Sequence, residues 1–154
     1  FAADEDQVYV STTRGQFFAL ATESGATRWR MALPDTTVRL SAPAVSEDLV
    51  VVGGTDGVLR ALRPSDGQEV WAYQDGDVIT APPLITQQHV FVGTMGKRLV
   101  AVGRAGGTSQ WTHELRGRMK SPMVLHRGRL IVQAEPRHVI CFTAQEASTY
   151  ASTP

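Results

Sequence analysis

Short runs of β-branched and aromatic residues recur along the chain between clusters of Gly, Pro, Asp, Ser and Thr, and no useful window carries an apolar period of 3.6 residues. The runs are Val8-Tyr9-Val10, Val50-Val51-Val52, Val90-Phe91-Val92 and Leu130-Ile131-Val132. Runs this short, bounded by turn formers, predict strands and almost no helix. The clearest unit predicts strands at Ala81–Ile85, His89–Gly93, Leu99–Val102 and Gln110–Glu114, with turns at 86–88, 94–97 and 104–107. Four short strands in about 40 residues is the size of one propeller blade.

A repeat of that period is written in fixed anchors. Trp29, Trp71 and Trp111 are spaced by 42 and 40 residues; each stands four residues after a glycine (Gly25, Gly67, Gly107). Each glycine stands six residues after an alanine (Ala19, Ala61, Ala101), and each tryptophan is followed by a proline and an apolar stretch: Pro43-Ala44-Val45, Pro83-Leu84-Ile85, Pro122-Met123-Val124. Glycine admits the positive φ of a tight turn, alanine leaves room for an indole, and the indole supplies a large apolar face with an N–H free to reach a carbonyl. The anchors therefore predict cohesion between blades instead of catalysis. Cys141 holds the repeat position of the three alanines and is expected to be a small buried core residue.

The spacing Ala-six-Gly-four-Trp, in ALATESGATRW (19–29), ALRPSDGQEVW (61–71) and AVGRAGGTSQW (101–111), resembles the tryptophan-docking motif of the pyrroloquinoline-quinone-like repeat propellers, the eight-bladed quinoprotein-type fold. The resemblance covers residues 1–143. It implies an all-β propeller with about four blades, half of an eight-bladed ring, at approximately 1–32, 40–75, 79–115 and 119–152, the first and last incomplete or eroded. That family's Asp or Asn two residues after the alanine is replaced by Ala21, Arg63 and Gly103, which predicts a weaker corner hydrogen bond. Family dehydrogenases hold the quinone between a tryptophan and a vicinal disulfide, beside calcium bound by Glu, Asn and Asp. One cysteine and no asparagine leave that constellation unbuildable from these residues. The resemblance thus points to the non-enzymatic branch. It implies a protein-binding or scaffold module, periplasmic or extracellular, of outer-membrane assembly lipoprotein or sensor-domain type. The alternative is a fragment or remnant of a quinoprotein dehydrogenase.

Charge adds one feature. The 15 basic and 15 acidic residues cancel. Residues 1–77, however, carry six Arg against twelve Asp or Glu (−6), and 78–154 nine Lys or Arg against three Glu (+6). The basic residues are dispersed among strands without interleaved aromatics, so nucleic acid is not the expected partner. No apolar run is long enough for a membrane-spanning helix, so direct membrane insertion is not expected. An open half-ring would leave two blade faces uncovered, so the expectation is either a piece of a longer chain or, as the charge split suggests, self-association of two copies, acidic end to basic end, as a homodimer closing the ring.

The candidate chemistry is sparse. The histidines, His89, His113, His126 and His138, occupy four different repeat positions, which predicts no shared metal. Asp75-Gly76-Asp77 is expected to be an interblade turn in preference to a calcium loop, and Gly53-Gly54-Thr55-Asp56-Gly57 a hairpin in preference to a phosphate cradle. No catalytic residue, cofactor or metal ligand is predicted. Arg116, Arg118 and Lys120 alternate between blades, so their side chains should share one side and are the candidate partner-binding residues.

Overall fold

The computed structural model describes residues 1–143, all strand, turn and loop with no helix among them. The first sheet contains β1 (Ala2–Ala3), β2 (Gln7–Ser11), β3 (Gln16–Ala21) and β4 (Thr27–Ala32). The second contains β5 (Ala44–Val45), β6 (Val50–Gly53), β7 (Val58–Leu62) and β8 (Glu69–Gln74), and the third β9 (Leu84–Ile85), β10 (His89–Gly93), β11 (Arg98–Gly103) and β12 (Ser109–Glu114). The fourth has β13 (Val124–His126), β14 (Arg129–Ala134) and β15 (His138–Thr143); its remainder lies outside the described residues. Every sheet is an antiparallel meander in chain order. The strands β1, β5 and β9 touch in succession and so lie toward a common axis. These sheets are the blades of a partial β-propeller.

The first strand of each of the first three blades is only two residues long, where five were expected at 81–85. Pro82 and Pro83 lack the N–H groups a ladder needs. The first blade, expected to be incomplete, has all four strands, because Ala2 and Ala3 pair with Tyr9 and Val8.

Three apolar clusters lie between successive blades. Tyr9, Phe17, Ala19 and Trp29 meet Val50, Val52 and Leu62. Val51, Leu59, Ala61 and Trp71 meet Val90, Val92, Val100 and Val102. Phe91, Leu99, Ala101 and Trp111 meet Leu130, Val132 and Phe142. Period-2 alternation explains why the apolar residues of β6, β10 and β11 are buried on both faces: one set of side chains faces the blade before, the other the blade after. The loops crossing between blades add Ile79 to the second cluster and Met119 to the third, both fully buried, and Leu40 packs against the first. Gly53 and Gly93 are side-chain-free where Ile79 and Met119 lie against them, so a Cβ at either would collide.

Candidate functional site

The indoles are the most regular feature. Trp29, Trp71 and Trp111 pair across strands with Ala19, Ala61 and Ala101, so each ring lies over the smallest side chain of its own blade. Each of the first two rings then reaches the corner of the following blade. Trp29 lies on Gly67 and donates its Nε1–H to the Pro64 carbonyl at 2.7 Å; Trp71 lies on Gly107 and donates to the Arg104 carbonyl at 2.7 Å. Gly25, Gly67 and Gly107 share φ values of +69°, +71° and +68°. Glycine is therefore needed twice, for the left-handed turn and as the floor of a slot for the preceding blade's indole. The spacing revealed only the first need. The corners themselves are closed by backbone: Gly25, Gly67 and Gly107 N–H donate to the carbonyls of Ala21, Arg63 and Gly103 at 2.8–2.9 Å. The missing Asp or Asn side chain is thus not required to close the turn.

Trp111 Nε1 is buried with no acceptor among the described residues. Its repeat partner is residue 144, which lies outside them. Cys141 corrects the expectation of burial: it is exposed. Ala19, Ala61 and Ala101 are covered by their cross-strand indoles, whereas in the sequence of the fourth repeat the position of the tryptophan holds Ala151, which lies outside the described residues.

Arg116, Arg118 and Lys120 are exposed and alternate with buried Leu115, Gly117 and Met119 along the loop from the third blade to the fourth. Lys120 is drawn toward the fourth blade by Glu135, with Nζ 2.8 Å from Oε2. Arg116 and Arg118 have no ion pair among the described residues. Gly117 is pressed against the Glu135 carbonyl, and the Glu135 N–H donates to the Arg118 carbonyl at 2.9 Å, which fixes the loop on its neighbour. In the preceding loop the fully buried Asp75 carboxylate meets Arg98 at 2.8 Å, and Asp77 meets the same guanidinium at 3.5 Å. Asp75-Gly76-Asp77 is an interblade turn. Residues 54–57 form the β6–β7 hairpin, with Gly57 at φ +77°. Among the described residues no three His, Cys, Asp or Glu side chains are grouped to hold a metal ion.

At the opposite end of the blades the turns of the first two carry mostly acidic side chains. Turns far apart in sequence enclose an open cleft of about 890 Å³ lined by Asp4, Glu5, Asp6, Glu47, Asp48 and Arg63, together with Gln7, Pro64 and Ser65. No sequence pattern pointed to it, because its walls come from three turns of two blades. Burial acts to raise the Asp4 carboxyl, but bonds from the Tyr9 hydroxyl (2.8 Å) and the N–H groups of Gln7 (2.7 Å) and Asp6 (2.9 Å) outweigh it and hold the group below its ordinary value. Burial, then that same bond, push the Tyr9 phenol upward. Asp48 is likewise held low, burial being overcome by Arg104 and Ser46. Arg104 also donates to the Thr86 carbonyl at 2.7 Å, joining the second and third blades.

A carboxyl lowered by folding contributes stability above its unfolded pKa and loses it as pH falls through the folded value. Acid titration of the folded protein below about pH 3.8 should therefore weaken the Asp4 corner. Asp4→Ala is expected to flatten that acid limb of a urea-midpoint against pH curve while leaving its neutral shape unchanged.

Geometry alone defines the class: a propeller segment of antiparallel blades joined by tryptophan and glycine. A family model described as outer membrane protein assembly factor BamB matches residues 1–82 and 76–149, and the chain belongs to that family. Outer membrane protein assembly factor BamB of Nitrosomonas eutropha is 30% identical over 113 residues, 68% of this chain and 26% of that protein. The crystal structure of BamB from Moraxella catarrhalis matches with a TM-score of 0.77 at 23% identity, covering 91% of this chain and 44% of that one. Quinohemoprotein alcohol dehydrogenase from Comamonas testosteroni matches with a TM-score of 0.72 at 19% identity, over 84% of this chain and 28% of that one. The two structural likenesses show the fold. This chain spans about a quarter of the length of the curated relatives it matches.

Proposed function

We propose that this segment is a non-catalytic, protein-binding part of an outer-membrane assembly propeller working in the periplasm. The observation that carries the reading is the family match along nearly the whole chain, to proteins named as assembly factors. The residue chemistry supports it. A single cysteine and the absence of asparagine leave these blades without the quinone and calcium ligands of the dehydrogenase branch. Binding is assigned to the basic loop, where Arg116 and Arg118 offer planar guanidinium groups that suit carboxylates of a protein partner.

The test is photo-crosslinking from position 120 of the parent protein, beside the two arginines on the same exposed loop, in intact envelopes. Crosslinks to an outer-membrane assembly component are the expected result, lost in the Arg116→Glu, Arg118→Glu double variant. Both side chains are exposed, so the double variant should change unfolding stability by no more than about 0.5 kcal/mol per site. Unchanged crosslinking would remove the loop from the interface, and saturable binding of pyrroloquinoline quinone with calcium would favour the dehydrogenase remnant. Head-to-tail pairing of two copies, expected from the charge split, has no support from the family match.

A further inference from the structure

Equivalent clefts lie between the first and second blades and between the second and third, and the repeat lets them be compared position by position. In the second cleft the molecule supplies its own cation. Arg104 donates to the Asp48 carboxylate and to Ser46 Oγ at 3.1 Å on one wall, and to the Thr86 carbonyl at 2.7 Å on the other. The remaining turn residues there are the uncharged Gln87 and Gln88, so one carboxylate meets one guanidinium. In the first cleft the same positions carry Asp6 for Asp48, Asp4 for Ser46 and Glu47-Asp48 for Gln87-Gln88, but Pro64 stands where Arg104 would be. Five carboxylates therefore line it with a single arginine, and Arg63 is turned to its own corner, 2.8 Å from Asp66. Asp4 is engaged by Tyr9 and by backbone N–H groups, and Asp48 by Arg104. Glu5, Asp6 and Glu47 make no ion pair among the described residues.

A second, independent feature marks the same cleft. Gln7 lines it where the second cleft has the apolar Leu49. The residue is only 8% exposed. Its Nε2 donates to the Pro64 carbonyl at 3.2 Å, while its Oε1 is buried and receives no donor among the described residues. Leaving a buried amide oxygen without a donor is destabilising, and the neighbouring repeat avoids that cost with leucine. An unpaired acceptor beside unpaired carboxylates suits a donor that is also a cation.

We propose that the first cleft binds an arginine side chain of a protein partner, its guanidinium taking the place that Arg104 fills in the second cleft. A guanidinium carries several N–H donors in a planar fork, enough for a carboxylate and the Gln7 oxygen together. The open cleft of about 890 Å³ has room for that side chain and for the backbone on either side of it. Both walls are turns of blades that have all four strands. The site lies at the end of the blades away from Arg116 and Arg118, and so gives the segment a second contact of opposite charge.

The experiment follows the amide resonances of the isotope-labelled full chain during titration with acetyl-Gly-Arg-Gly-amide, and with its citrulline counterpart, which keeps the shape and loses the charge. The arginine peptide is expected to shift the Gln7 side-chain amide and the Asp6 and Gln7 backbone amides saturably. The citrulline peptide should bind at least about tenfold more weakly, the factor carried by one charge-assisted contact. Asp6→Asn should weaken the arginine peptide to a similar degree. Gln7→Leu, which copies Leu49, should weaken it without lowering the urea midpoint. Pro64→Arg, which copies Arg104, should fill the cleft from within, raise the urea midpoint and abolish peptide binding. Equal binding of the two peptides would overturn the proposal, as would undiminished binding to a Pro64→Arg chain whose remaining resonances are unmoved. Absence of saturable shifts would overturn it too. Calcium chloride moving the same resonances at lower concentration than the peptide would overturn it in favour of a metal site. No readout involves Arg116 or Arg118, so the outcome is independent of the proposed function.

Discussion

Trp71→Ala is expected to lower the free energy of unfolding by about 3–5 kcal/mol, the range for removing a buried aromatic side chain from a core. The ring is buried between the second and third blades, over Ala61 and against Gly107, within a cluster that includes Val90, Val92, Val100 and Val102. Those neighbours are β-branched and held in strands, so they cannot collapse far into the space left behind. Total stabilities of domains are about 5–15 kcal/mol, so the loss would be a large share of the whole. It would also fall at one interface. In a repeat structure each unit contacts chiefly its neighbours, so weakening the middle contact should uncouple the first two blades from the last two. Urea unfolding followed by circular dichroism and by the fluorescence of Trp29 and Trp111 should then give two transitions that no longer coincide. Trp71→Phe separates area from polarity: it keeps a ring but loses the N–H bond to the Arg104 carbonyl. That bond, at the part-buried corner, is worth about 1 kcal/mol. A loss below about 1 kcal/mol for the alanine variant would contradict the packing role assigned to the indoles.

The recurring indole was readable because it is a one-dimensional signal: a large residue at a fixed distance from a glycine and an alanine, repeated in three units. Strands β6, β7, β10 and β11 were readable for the same local reason. What the sequence hid is whatever depends on a neighbour in space. Gly67 looks like a turn residue from its own surroundings, and only the fold brings Trp29, 38 positions earlier, onto it. Asp75 and Arg98 pair across 23 positions, and the acidic cleft joins Asp4 to Glu47 and Arg63. The first blade read as incomplete because Phe1 aligns with Pro43 in the repeat, and a two-residue strand such as Ala2–Ala3 carries no period that could have corrected this. Cys141 inherited its expected burial from the alanines it replaces, but those are buried by a residue type its own unit lacks. Position in the repeat fixed where its backbone goes, and the neighbouring side chain decides whether it is covered. The charge split was equally visible, yet it does not select a homodimer. Complementary net charge steers two surfaces together without filling a particular slot.

Gly67→Ala and Gly25→Ala should give unequal losses although the two glycines have nearly the same backbone conformation, φ +71° and +69°. Alanine in the left-handed region costs roughly 1–2 kcal/mol wherever it is placed, and that is the whole expected effect at Gly25, where the new methyl meets nothing. At Gly67 the methyl would stand 2.7 Å from Trp29 Cδ2, well inside contact distance. The indole cannot rotate away without giving up its 2.7 Å bond to the Pro64 carbonyl and its place against Tyr9 and Phe17. Forcing extra volume into such a contact adds about 1–3 kcal/mol, so Gly67→Ala should be the costlier by that margin. Gly107→Ala, whose methyl would stand 2.8 Å from Trp71, should behave like Gly67→Ala. The comparison removes the backbone contribution and leaves only the contact between blades. Near-infrared or thermal probes are unnecessary: urea midpoints of the three variants under one condition suffice. Equal losses at all three glycines would mean that the turn, and not the indole resting on it, is why the residue is glycine.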